Sequence, residues 1–269
     1  MMFDAQFAYE LFNGIALSMA RLYPCMFLVP AFLFKHLKGL PRYAVLAALA
    51  LIPAPGIGQE LSRLGESWTG IFFLIFKEMV LGTLMGLVLY LPFFLFSAVG
   101  VLLDNQRGAL TGGQLNPALG ADVTPLSQLF EETLVMLLII IGGLPLLMQV
   151  IWDSYQIWPA TIWWPALQAQ GFEVYLGLVN DTFTHLLLYS APFIALLLLV
   201  EAAMALIGIY SPQLNVFILA MPAKCVIGLA FLVIYLPTLL DLGTERLELL
   251  RDVRHTLLLI VPAPLEPAP

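Results

Sequence analysis

Charge is scarce in this chain. Asp, Glu, Lys and Arg together make up 11% of its 269 residues, where a soluble domain carries about 25%. Apolar residues take the space, at 61% against about 45–50% in soluble domains. A water-exposed globule is excluded, and the bilayer is the expected solvent. Positive charge is scarcer than negative, with 11 Lys and Arg against 18 Asp and Glu and a formal net charge of −7. That balance excludes a basic surface for nucleic acid and a polybasic lipid anchor, so no nucleic-acid partner is expected. Only two cysteines occur, Cys25 and Cys225. Each sits in an apolar run outside any CxxC spacing, as a small core hydrophobe does and a redox or metal pair does not. The three histidines, His36, His185 and His255, are isolated, with no HExxH beside them, so neither zinc nor haem is indicated. Asp104 and Asp122 stand eighteen residues apart without the close carboxylates a divalent cation needs. GxSxG and Walker A sequences are absent too. The chain is therefore expected to be no enzyme and to hold no cofactor or metal.

What is present is a series of long apolar runs. Six spans of about 20 residues would use about 120 residues, leaving no room for a large extramembrane domain. The N-terminus lacks a basic n-region, and the first run, Leu11–Phe34, is too long for a signal h-region, so it is expected to remain as the first membrane segment. It contains Pro24 and Pro30, which predict a kink. Lys35, Lys38 and Arg42 form a basic loop without an acid, which places that loop on the cytoplasmic side. The run Tyr43–Ile57 is short for a span and fits a re-entrant or tilted element. Trp68–Leu103 is the longest run; within it Gly82 and Gly86 make a small-xxx-small pair that lets a neighbouring backbone approach.

A polar, glycine-rich break is expected from Asp104 to Pro125. Thr133–Ile151 follows, with Gly142, Gly143 and Pro145 where a helix ladder can open. Trp152, Trp158, Trp163 and Trp164 then mark a membrane–water boundary. Leu186–Tyr210 and Leu214–Leu240 read as two arms of a helical hairpin around Ser211–Gln213. The tail from Asp241 is expected to be a mixed-charge amphipathic helix with a disordered end. Six spans put the hairpin turn inside and the tail outside; a re-entrant Tyr43–Ile57 leaves five and puts the tail inside.

Charge inside apolar runs is the strongest signal. An ion at a helix centre costs about 2.5–3.5 kcal/mol on insertion scales, so Arg21, Lys77, Glu78, Glu201 and Lys224 need protein or water around them. Lys77 and Glu78 are adjacent, about 100° apart on a helix, and are expected to seek partners on other elements rather than each other. Glu201 and Lys224 lie at matching depth on the two hairpin arms, which predicts a cross-hairpin ion pair. Asp104, Gln106 and Arg107 open the polar break. They fit either an Asp104–Arg107 i,i+3 pair on a loop edge or a polar seam that packs against subunits or lines a passage. Pro222 removes a backbone donor, leaves the Ile218 carbonyl unpartnered, and predicts a broken helix in the arm.

Three strings carry a resemblance: DNQRG at Asp104–Gly108, Lys77-Glu78 ahead of a glycine-rich helix, and the run from Gln213 through Asn215 and Pro222 to Lys224. Together they resemble the SctT/FliR (YscT, SpaR) family of type III secretion export-apparatus membrane proteins over residues 10–250, the injectisome branch more than the flagellar one. The resemblance implies an all-α, polytopic protein with kinked and broken helices, an SctR-like part (1–185) fused to an SctS-like hairpin (186–240) with a tail (241–269). It further implies one copy joined to five SctR and four SctS subunits in an inner-membrane export gate for unfolded secreted polypeptides, lifted toward the periplasmic side. SctU would lie near the hairpin turn, and energy would enter through SctV and an ATPase. Lys77, Glu78, Asp104, Gln106, Arg107, Glu201, Gln213, Asn215, Pro222 and Lys224 would then be interface or gate residues. The competing readings are a stand-alone secondary transporter in which Glu78 or Glu201 carries protons, and, least favoured by the inventory, a membrane enzyme.

Overall fold

The computed structural model describes residues 5–34, 37, 39–64, 68–108, 124–162, 169–211, 216–248 and 250. Among these there are eight α-helices, one 3-10 turn (Pro30–Phe32) and no strand. The helices are α1 (Ala5–Leu28), α2 (Leu40–Ala50), α3 (Ala54–Leu64), α4 (Trp68–Gln106), α5 (Pro125–Ile140), α6 (Gly143–Ile157), α7 (Ala169–Tyr210) and α8 (Val216–Glu248). An all-α membrane protein was expected, and that is the architecture found.

Four helices are long and apolar enough to cross a membrane, and up to six spans result if each bent pair counts as one. One bent pair stands where the sequence placed an opening, at Gly142, and the other divides a run expected as a single element. α2 and α3 turn by 72° around the residues that end in Pro53, so the short Tyr43–Ile57 run is two helices rather than one. α5 and α6 turn by 86° where Gly142 adopts a left-handed φ of +70°, a conformation that costs glycine nothing and other residues dearly. In three places the structure departs from expectation. The Asp104–Pro125 break is narrower, because α4 continues through Gln106 and α5 restarts at Pro125. The hairpin arms are longer, at 42 and 33 residues, and the second runs through Asp241 to Glu248 without a separate tail helix before that point. Pro222 does not break its helix. It is the seventh residue of α8, so the single lost donor falls in the first turns, where apolar neighbours carry the helix past it.

The chain divides into two compact units. Of the described residues, the first takes those up to Leu91, those of Ile141–Leu178, and Glu248 and Leu250. Its core includes Leu17, Ile57, Leu61, Leu74 and Ala160, with Tyr155 packed against them. α3 shows why such a helix forms: Ala54, Ile57, Gly58 and Leu61 are its buried residues, a spacing that lines one face. Gly82 and Gly86 face α1 as the spacing predicted. A Cβ on Gly82 would strike the backbone carbonyl of Arg21, and one on Gly86 would lie 3.0 Å from Cys25 Cα. The second unit takes Pro92–Ile140 and Val179–Leu247. There Gly100 brings α4 against the start of α5, where Ser97 and Ser127 share a hydrogen bond of 2.9 Å.

Backbone contact at Gly82 makes a falsifiable expectation. Gly82→Ala should destabilise the purified chain by about 1–3 kcal/mol, because backbone rather than a flexible side chain must yield. Gly177→Ala, with open space around it, should instead stabilise by about 0.5–1 kcal/mol. Thermal melting in mild detergent reads both, and equal effects would remove the close-packing argument.

Candidate functional site

In the first unit, a carboxylate in a fully apolar run gathers two cations. Glu78 is 0% exposed on α4. Arg21 of α1 donates to it through Nε to Oε2 at 2.6 Å and through Nη2 to Oε1 at 2.9 Å. Lys77 Nζ stands 3.0 Å from Oε1. Arg21, itself 1% exposed, spends further donors on Ser154 Oγ at 3.1 Å and the Trp158 carbonyl at 2.9 Å. Its guanidinium carbon lies 4.2 Å from the centre of the Tyr155 ring. Lys77 donates to the Ala160 and Ile162 carbonyls, both at 2.8 Å. The two cations thus hold one carboxylate between them and three carbonyls of the segment that follows α6.

The expectation that Lys77 and Glu78 would not meet is corrected here. Their Cβ directions diverge, but the four-carbon lysine stem curls back to the carboxylate. The partner on another element also exists, and it is Arg21, which sequence reasoning marked as needing company without naming as Glu78's mate. Its signal was available, since Arg21 is a cation buried in the first apolar run.

The second unit holds three further ionic arrangements among the described residues. Asp104 does not sit on a loop edge: it is 0% exposed, inside the last turn of α4. Arg107 bonds it through Nη2 and, at 2.7 Å, through Nε, and the backbone N–H of Leu126 donates to its Oδ2 at 2.8 Å. The carboxylate therefore caps the start of α5, where unpaired N–H groups and the helix dipole favour an anion, and joins the ends flanking residues 109–123. Gln106 is half-buried at the last residue of α4. The Arg107 carbonyl lies 3.7 Å from Cys225 Sγ on α8, one residue beyond Lys224.

The predicted hairpin pair is present, with Lys224 Nζ donating to Glu201 Oε2 at 2.9 Å. Gln213 and Asn215 lie outside the described residues. Nearer the far end of the arms is a cluster that sequence reasoning missed. Arg246 Nη1 donates to Asp181 Oδ2 at 2.7 Å and Nε to Tyr189 Oη at 3.0 Å. Tyr235 Oη donates to the Tyr189 carbonyl at 3.0 Å, and His185 Nδ1 stands 3.0 Å from Asp181 Oδ1. Asp181 and His185 precede the first arm as expected from Leu186, and Arg246 follows the second as expected to Leu240; the first arm starts earlier and the second ends later than the apolar runs alone suggest. Among the described residues no group of three or more His, Cys, Asp or Glu is arranged to hold a metal ion.

A family model described as "Bacterial export proteins, family 1" matches residues 12–250. "Yop proteins translocation protein T" of Yersinia pestis is 31% identical over 238 residues, covering 88% of this chain and 90% of that protein. "Surface presentation of antigens protein SpaR" of Salmonella typhimurium is 27% identical over 241 residues, 89% of each. "Flagellar biosynthetic protein FliR" of Bacillus subtilis is 23% identical over 254 residues, 94% of this chain and 97% of that protein. The similarity is higher to the secretion proteins than to the flagellar one, as the DNQRG string suggested.

The buried ions predict their own mutational pattern. Arg21→Met alone should cost about 3–5 kcal/mol by stranding Glu78. Combining it with Glu78→Leu should recover most of that loss. Melting of the purified variants checks this, and additive losses would show that the pair is not a closed unit.

Proposed function

The chain belongs to the family of bacterial export proteins, family 1, and from that membership we propose that it is a structural subunit of a type III secretion export gate in the bacterial inner membrane. It is a multi-pass membrane protein of an export apparatus and not an enzyme. In this reading one copy joins five SctR-like and four SctS-like subunits, touches the SctU switch protein and SctV, and helps to wall the entry channel for unfolded secreted proteins. Residues 1–185 form the SctR-like part and 186–240 the SctS-like hairpin, within helices that run past both limits.

One observation carries it. The hydrophobic windows of α7 and α8 are only 11% and 17% buried within the chain, against 56% for α4. Two long apolar arms are thus left with their surface for others to cover. Lipid is a poor fit for all of it: at 1.5 Å per residue α4, α7 and α8 would be about 58, 63 and 50 Å long, well beyond a hydrocarbon core of about 30 Å. Part of each helix lies outside such a core, which supports a subunit held in an assembly that extends beyond the bilayer; the side we propose is the periplasmic one. The transporter alternative asks Glu78 or Glu201 to release and rebind protons; Glu78 already accepts two cations and is closed to solvent, which leaves that alternative Glu201 alone.

Lys224→Glu and Pro222→Leu, expressed at normal level in the membrane, should each lower secretion of type III substrates about tenfold or more. The comparison is with wild type: Lys224→Glu sets a second carboxylate beside Glu201, and Pro222→Leu puts back a backbone donor and a larger side chain early in α8. Secretion assayed in the culture medium at full rate in both variants would remove the functional assignment of this stretch.

A further inference from the structure

Glu201 is served unlike the other carboxylates of the apolar runs. Glu78 takes two cations, and Asp104 takes a cation and a backbone N–H. Glu201 takes Lys224 on Oε2 alone among the described residues, and its side chain is 57% exposed while that of Lys224 is 15% exposed. Around it the helix is bare: Leu198, Leu199, Leu206, Ile209 and Tyr210 are 53–85% exposed. A helix apolar on all sides is meant to be covered by lipid or protein. Depth decides between them. Glu201 lies nine residues before the end of α7, about 14 Å along the axis, and Lys224 eight residues into α8, about 12 Å. Were this hairpin set in lipid from its joined ends, both would stand near the middle of a hydrocarbon layer of about 30 Å, where a half-open carboxylate against acyl chains is least tolerable; protein is the cover that remains.

Resting on the export-subunit reading, we propose that Glu201 is the acceptor of an intersubunit contact. An apolar helix of a neighbouring export subunit lies along the bare face of α7 and brings a Lys or Arg at the same depth onto the Oε1 oxygen. Glu201 then holds two cations, one internal and one from the neighbour, as Glu78 does within this chain. The partner is thus defined by chemistry: a membrane helix with a single basic residue mid-way along an apolar run.

The double exchange Glu201→Lys with Lys224→Glu separates the internal contact from the external one. It restores the internal pair, so melting of the purified full chain should match wild type. It also sets a lysine against the neighbour's cation, so subunits co-purified in mild detergent should fall at least about tenfold. Undiminished co-purification would overturn the proposal. Should the exchanged chain melt early, a photo-activated cross-linker at Ala205, one turn along the bare face, decides instead. Capture of a subunit through a peptide with Lys or Arg inside an apolar run supports the contact; adducts with lipid alone overturn it. A wild-type chain that co-purifies with no other subunit would contradict the export-subunit reading itself.

Discussion

An ion in an apolar chain must be held by protein, and the Arg21–Glu78 pair shows what that takes. Removing both charges from water carries a penalty of several kcal/mol per ion, which a single contact does not offset. Here the guanidinium uses four hydrogen bonds, on Glu78, Ser154 and the Trp158 carbonyl, and a ring face on Tyr155. The geometry joins α1, α4 and the segment after α6 at one point. Gly82 is part of the same arrangement, since its missing side chain is what lets α4 approach the Arg21 backbone. Close approach and charge pairing therefore require each other in this unit.

The second unit solves the same problem with shorter reach. Asp104 anchors the end of α4 to the beginning of α5 through one backbone N–H, and it is neutralised three residues on by Arg107. Among the described residues the hairpin is tied three times, by Lys224 with Glu201, by Tyr235 with the Tyr189 carbonyl, and by Arg246 with Asp181 and Tyr189. Between these ties the contacts are apolar, as where Gly228 leaves space filled by Phe193. Polar ties on otherwise greasy helices fix register, which apolar contact alone specifies weakly. A structural part in an assembly needs defined register more than it needs an open site.

Much of this was legible from residue order. The long apolar runs, the bend at Gly142, the helix-facing glycines and the Glu201–Lys224 pair follow from periodicity, backbone preference and matched depth. The misses have physical causes too. Helix ends were set at the limit of hydrophobicity, but α7 begins at Ala169 and α8 reaches Glu248, because mixed polar sequence keeps helical propensity after it has lost apolar character. That is why Asp181 and Arg246 escaped notice as partners across the hairpin. Side-chain reach was underestimated at Lys77, where a long stem defeats an argument based on Cβ direction. Arg21 and Glu78 are 57 residues apart, and no local pattern states which distant ions meet.

The central claim is that this chain is a wall element whose exposed apolar arms are covered by companion subunits. Native mass measurement of the tagged chain, expressed from its own bacterium and extracted in mild detergent, tests that most directly. The account predicts one copy of this chain in a complex with several copies of two smaller membrane subunits. A monodisperse single chain surrounded by lipid would contradict it.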